Sequence, residues 1–138
     1  MARLNPYLTF NGNCREAMTF YKDCFGGKLD IQTVGESPVA GEMPPQMKNS
    51  VMHSQLESDK IVIMGSDLVP EKLSQGNTLA LMLDCVNEQE IRSLFEKLVV
   101  GGKVNQQVQD TFWGALYGEL VDKFGVRWML NFTKNTNN

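Results

Sequence analysis

The stretch Asn13-Cys14-Arg15-Glu16-Ala17-Met18-Thr19-Phe20-Tyr21-Lys22-Asp23-Cys24-Phe25-Gly26-Gly27-Lys28 decides the fold, because its pattern returns in Asn87-Glu88-Gln89-Glu90-Ile91-Arg92-Ser93-Leu94-Phe95-Glu96-Lys97-Leu98-Val99-Val100-Gly101-Gly102-Lys103. Each copy opens on Asn-x-x-Glu, the signature of a capping box in which the Asn oxygen accepts from an orphan backbone N–H and the Glu reaches back. Counted from each Asn, apolar residues fall at the same four offsets: Ala17, Phe20, Tyr21 and Cys24, then Ile91, Leu94, Phe95 and Leu98. That spacing puts one apolar stripe on each helix and leaves Arg15, Lys22, Asp23, Arg92, Glu96 and Lys97 toward water. Both helices run into Gly-Gly-Lys, where a left-handed exit ends the helix.

Working outward, a strand-like run precedes each helix and three follow it. Leu4 to Phe10 leads the first helix, and Leu29 to Val34, Val51 to Glu57 and Ile61 to Ser66 follow. Thr78 to Val86 leads the second, and Val104 to Val108, Leu116 to Val121 and Val126 to Phe132 follow. The order β-α-β-β-β, twice, predicts an α+β fold within one domain over 1–138, with module one at 1–68 and module two at 77–133. One helix per module covers one sheet face and leaves the other open. The polar residues 134–138 read as a frayed tail. The Gly35 to Lys48 stretch, rich in Gly, Pro and Met, has no counterpart in the second copy; it reads equally as a lid and as a disordered crossing.

Composition sets outer limits. With 138 residues, 42% of them apolar, the chain is long enough to build a core unaided by metal or disulfide. A net charge of −3 provides no basic face for phosphates, so no nucleic-acid partner is expected. No apolar run is long enough for a membrane span, so no membrane partner is expected either. Met1 to Asn5 lack the features of a signal peptide, and Cys14, Cys24 and Cys85 cannot all pair, which points to reduced thiols and a cytoplasmic location. The single histidine lies in a strand with no Gly-x-Ser-x-Gly turn in the chain, which disfavours a hydrolase triad. Cys14 sits where a helix dipole favours thiolate, beside Glu16, and reads as part of the strand–helix turn.

The paired module, with Tyr7-Leu8-x-Phe10-Asn11-Gly12-Asn13-Cys14-x-Glu16-Ala17, Phe20-Tyr21-Lys22 and Phe25-Gly26-Gly27, resembles the vicinal-oxygen-chelate superfamily of glyoxalases, bleomycin-resistance proteins and dioxygenases, and more closely its PhnB-like branch. Phe112-Trp113-Gly114, Tyr117-Gly118 and Asp122-x-Phe124-Gly125-x-x-Trp128 extend the likeness over Leu4 to Phe132. Lys123 departs from it, standing where the family usually has proline. The resemblance implies that the two sheets form an open cup with helices on its convex face, and that the protein is a homodimer. Some proteins of the branch carry a 3-demethylubiquinone methyltransferase label, but no strand here runs into a Gly-x-Gly loop suited to a nucleotide-like cofactor.

Many members of the superfamily hold a divalent metal by one ligand from each of four strands. By resemblance those positions are Pro6, Ala80, Met64 and Met129, which offer no imidazole or carboxylate, so no metal and no cofactor are expected. The methionines suit an apolar lining instead. If Ser58-Asp59 closes a two-residue hairpin, Glu57 faces Lys60, and His53 falls opposite Met64 on a face shared with Val51, Gln55, Val62 and Ser66. His53 there reads as a neutral hydrogen-bonded histidine, as a ligand contact or general base, or, least of all, as a metal ligand. If Val121 pairs with Val126, Leu116, Gly118, Leu120, Arg127, Met129 and Asn131 line the second module's open face and Trp128 anchors the core. A one-residue bulge would bring Glu119 inward. Trp113, beside Phe112, reads as a rim aromatic or an interface residue.

These readings converge on a protein binding an unknown, small, partly apolar organic molecule through His53, Met64, Ser66, Arg127, Met129, Asn131 and Trp113, with no catalytic residue assigned. Two alternatives stand beside it. One is a metal-dependent lyase, isomerase or dioxygenase built on His53 and Glu119, and the other is a drug-sequestering resistance protein.

Overall fold

The computed structural model describes residues 1–59, 61–69 and 72–134. The chain divides into two compact units, Met1–Ser74 and Gln75–Asn138. Among the described residues no helix is long and apolar enough to cross a membrane.

The first unit contains β1 (Tyr7–Thr9), α1 (Cys14–Phe25), β2 (Lys28–Thr33), β3 (Val51–Glu57) and β4 (Val62–Ser66), in sheet order β1-β4-β3-β2. β1 runs parallel to β4, and the other pairs are antiparallel. The second unit contains β5 (Leu81–Asp84), α2 (Glu88–Leu98), β6 (Lys103–Asp110), β7 (Ala115–Val121) and β8 (Arg127–Thr133), in order β5-β8-β7-β6, with β5 parallel to β8. The double β-α-β-β-β order and the open mixed sheets are those expected of the sequence.

Each helix buries its predicted stripe. Ala17, Tyr21 and Cys24, joined by Cys14 and Met18, are buried in α1, and Ile91, Phe95 and Leu98 in α2, while Phe20 and Leu94, at matching offsets, are half-buried in both. On the sheet side Ser54, Leu56 and Ile63 are buried, the Ser54 Oγ lies 3.5 Å from the Cys14 Sγ of α1, and a Cβ on Gly65 would touch Met18 and the Cys14 Sγ. In the second unit Leu116, Leu120, Trp128 and Leu130 are buried, and a Cβ on Gly118 would press on the Phe95 ring.

The helix ends differ from the sequence reading. Asn87 caps α2 as expected, accepting from the Glu90 N–H at 2.8 Å, while Glu90 accepts from the Val86 N–H at 2.9 Å. Asn13 makes no side-chain cap bond. Its place is taken by Asp67, just past β4, whose Oδ1 accepts from the Gly12 and Cys14 N–H groups at 3.0 and 2.9 Å and whose Oδ2 accepts from the Val51 N–H at 2.9 Å. A full carboxylate at a helix N-terminus is a stronger acceptor than an amide and suits the dipole. The glycine pairs also do more than end helices. Gly26 (φ +73°) and Gly101 (φ +76°) take the left-handed exit, whereas a Cβ on the second glycine, Gly27 or Gly102, would collide with the carbonyl oxygen of Glu57 or Val121.

Between β2 and β3, residues 34–50 form three short 3-10 turns, closed at the base by Val34 N–H to Ser50 O (2.9 Å) and Gly35 N–H to Lys48 O (2.8 Å). Thr133 ends β8, and the Lys134 N–H, at the start of the tail, donates to Gly114 O at 3.1 Å. The rest of that tail, 135–138, lies outside the described residues.

Candidate functional site

Strand alternation and pairing define the helix-free face of each sheet. In the first unit the expected partner of Glu57, Lys60, lies outside the described residues, and Glu57 pairs with Val62. Ser58 N–H donates to Ile61 O (2.9 Å), and β3 pairs with β4 as Glu57↔Val62 and Gln55↔Met64. The slip is two residues, an even number, so His53, Gln55 and Met64 keep the face they were assigned. A bulge at Gln32/Thr33 pairs Thr33 with Val51, and Val51 is fully buried beside the Asp67 carboxylate, not on the open face. Ser66 is also buried, its hydroxyl donating to Met52 O at 2.8 Å and accepting from the Leu68 N–H at 3.0 Å. Its proton is therefore committed to holding the strand ends.

His53 has a partner the sequence did not suggest. The Tyr7 hydroxyl lies 3.3 Å from its Nδ1, with ring centroids 5.8 Å apart. Tyr7 belongs to β1 and His53 to β3, so this contact spans β4, which lies between them. Tyr7 pairs with Met64 and is 51% exposed. Alternation along β1 was the signal that could have found it, had β1 been aligned on Tyr7 and not on Pro6. Pro6 lies outside β1, and its carbonyl accepts from the Met64 N–H at 3.0 Å.

In the second unit the one-residue alternative holds. Val121 pairs with Arg127 and Glu119 with Met129. The turn explains it: Asp122 N–H donates to Val126 O (2.9 Å), and the Asp122 carboxylate accepts from the Phe124 and Val126 N–H groups and from Trp128 Nε1 at 2.8, 3.0 and 2.9 Å. An odd slip exchanges the β7 faces. Leu116, Gly118 and Leu120, expected in the open face, turn to α2, and Tyr117, Glu119 and Val121 take their place beside Arg127, Met129 and Asn131. Trp128, 2% exposed, is the core anchor.

The polar groups of this face are interlinked. The Tyr117 hydroxyl donates to Glu119 Oε2 at 3.0 Å. Burial, reinforced by the Glu119 carboxylate, pushes the phenol up to about 12, so it remains a donor. Asn131 Nδ2 donates to Asp84 Oδ1 and Thr133 Oγ1, both at 3.2 Å. Arg127 donates to Asn77 O at 2.6 Å. Trp113, 55% exposed in the β6–β7 turn, meets Phe112 edge-on at 4.9 Å and Tyr117 at 6.1 Å between centroids.

A chelated metal does not fit these donors. The strand positions facing away from the helices offer Tyr7, His53, Gln55 and Met64 in one unit and Met82, Asp84, Glu119, Met129 and Asn131 in the other, and no group of three His, Cys, Asp or Glu among the described residues converges on a point. Nor is Cys14 a nucleophile. It is fully buried, 3.5 Å from Ser54 Oγ, and burial pushes its thiol up to about 11.

Comparison with known proteins agrees with this architecture. A family model described as 3-demethylubiquinone-9 3-methyltransferase matches residues 2–131. Protein YjdN of Escherichia coli K12 is 32% identical over 95% of each chain. The crystal structure of PA1353 from Pseudomonas aeruginosa superposes with a TM-score of 0.86 at 34% identity, over 98% of this chain and 100% of that one. A putative 3-demethylubiquinone-9 3-methyltransferase, PhnB protein, from Bacillus cereus gives a TM-score of 0.76 at 25% identity, over 95% and 99%.

Proposed function

The chain belongs to the PhnB-like family of the glyoxalase/bleomycin-resistance/dioxygenase fold, and from that premise we propose that it binds a small, partly apolar organic molecule on a helix-free sheet face without help from a chelated metal. The observation that carries this reading is the first unit's face. Tyr7 and His53 form a polar pair there, next to the half-exposed side chains of Gln55 and Met64. Few orienting polar groups set among apolar, deformable ones are what small-molecule sites generally present. Met129, Asn131, Arg127 and Trp113 supply a comparable mixture on the second unit's face. Methyl transfer is not part of the proposal, because it would need a cofactor cradle that none of these residues builds.

A thermal-shift screen of divalent metals and metabolites tests the reading. A ligand at a hundredfold excess over its Kd stabilises the fold by about 2.7 kcal/mol, and His53→Ala is expected to abolish that gain for ligands of the first face. Protein purified without a His-tag that carries near-stoichiometric Zn, Ni, Mn or Fe would overturn the proposal, as would hits indifferent to both His53→Ala and Met129→Ala.

A further inference from the structure

The contact between Tyr7 and His53 has a chemical polarity. A neutral imidazole has one N–H and one lone pair. A phenol is a good donor and a weaker acceptor, so the favourable arrangement at 3.3 Å has the Tyr7 hydroxyl donating into the His53 Nδ1 lone pair. The ring proton then resides on Nε2. No other hydrogen bond among the described residues reaches this ring. Both rings lie on the face away from α1, since Tyr7 pairs with Met64, and Met64 lies opposite Gln55, two residues along β3 from His53.

We propose that Tyr7 is a positioning residue that fixes His53 as the Nε2–H tautomer, so that this face presents a hydrogen-bond donor and selects a ligand carrying an oxygen acceptor, a carboxylate or carbonyl. The inference rests on the binding face proposed above and names the ligand chemistry it takes. The Tyr7 ring spans β4 to reach His53, which also restrains the imidazole's rotation about its side-chain torsions; an exposed histidine would sample both tautomers and several rotamers.

The chain has a single histidine, so a long-range 1H–15N spectrum of the full-length 15N-labelled protein reports this imidazole without assignment. The expected wild-type spectrum shows a protonated Nε2 and an unprotonated Nδ1, their shifts well separated; in Tyr7→Phe the separation narrows as the second tautomer becomes populated. Titration with sodium acetate is expected to move the Nε2 resonance, and Tyr7→Phe to weaken that response about tenfold, equivalent to ~1.4 kcal/mol. Methylammonium, which has only donors, is expected to leave it in place. A proton on Nδ1 in the wild type, a Tyr7→Phe spectrum identical to the wild type, or a locked tautomer that ignores acetate would each overturn the inference. These outcomes separate from failure of the binding reading. Hits lost in His53→Ala with an unlocked tautomer would sink only the role of Tyr7. An empty thermal-shift screen, with the tautomer locked and responsive to acetate, would count against the broader reading alone.

Discussion

Replacing Asp67 is expected to be among the most damaging single changes in the first unit. The residue is 9% exposed, and its carboxylate accepts three backbone N–H bonds at 2.9 to 3.0 Å, from Gly12 in the turn before α1, from Cys14 at its first position and from Val51 at the start of β3. Asp67→Ala leaves two buried donors and one half-buried donor without partners. At about 1–3 kcal/mol for each of the three stranded groups, the loss is about 3–9 kcal/mol, a large share of the 5–15 kcal/mol typical of a folded domain. Asp67→Asn separates charge from shape. Its one oxygen can serve the helix pair, but its amide group then points a donor at the Val51 N–H, so an intermediate loss of about 2 kcal/mol is expected.

Urea unfolding followed by far-ultraviolet circular dichroism measures both variants, and amide exchange localises the effect. Protection should fall first at Gly12, Cys14 and Val51. An Asp67→Ala loss below about 1 kcal/mol, the net worth of one ordinary hydrogen bond, would refute the claim that this carboxylate replaces the Asn13 cap. Equal losses in the Asn and Ala variants would show that the charge, and not the count of acceptors, carries the effect.

Two further outcomes follow from the same geometry. The Cys14 and Cys85 thiols are both pushed up to about 11 from 9.0, chiefly by burial; the unfolded chain therefore loses those protons first, and the thiols' contribution to stability should be constant below pH 9 and fall between pH 9 and 11 by up to about 1.4 kcal/mol per pH unit for each thiol, a slope that Cys14→Ala should reduce in pH-dependent urea melts. Gly102→Ala, whose new methyl would strike the Val121 carbonyl oxygen, should cost about 2–3 kcal/mol, while Gly114→Ala, with open space around it and only a left-handed backbone (φ +84°) to strain, should cost about 1–2 kcal/mol; equal losses in thermal melts would mean that the β6 start does not approach β7 as closely as described.

How legible each feature was in the sequence depended on how local its cause is. The helices and their stripes depend on residues within three turns of one another, and both were readable, as was the Asn87 cap. The α1 cap was not, because its acceptor is Asp67, more than fifty residues away along the chain. Hairpin registers fall between these cases. The β3–β4 turn was misjudged by two residues without harm, since an even slip preserves the side-chain face. The β7–β8 turn was misjudged by one, because Asp122 folds its own carboxylate over Phe124, Val126 and Trp128 and closes the loop at Val126. That single residue exchanged Leu116, Gly118 and Leu120 for Tyr117, Glu119 and Val121 on the open face, turning an apolar surface into one that carries an acid. The Tyr7–His53 contact escaped notice because β1 was aligned on Pro6, which hid that Tyr7 shares the open face with Met64, and because the contact joins two strands that are not direct neighbours.

The corrected registers expose a second repeat beneath the first. In each unit the methionine of the last strand lies directly opposite a polar side chain of the strand before it, Gln55 to Met64 and Glu119 to Met129. Each face also carries a tyrosine that hydrogen-bonds a titratable partner, Tyr7 with His53 and Tyr117 with Glu119. The helix-packed sides remain alike because any change there must still fill the same space against the same stripe. The helix-free sides have no such constraint and have diverged in chemistry. One pairs its phenol with an imidazole, a group that can be made a donor, and the other with a carboxylate, which can only accept while ionised. Two faces of opposite hydrogen-bonding polarity would suit ligand groups of opposite kind. Acetate and methylammonium should therefore report on different residues, acetate on His53 and methylammonium on Glu119. A methylammonium titration that leaves the Glu119 carboxyl carbon resonance unmoved, or is unaffected by Glu119→Gln, would show that the second face has no such preference.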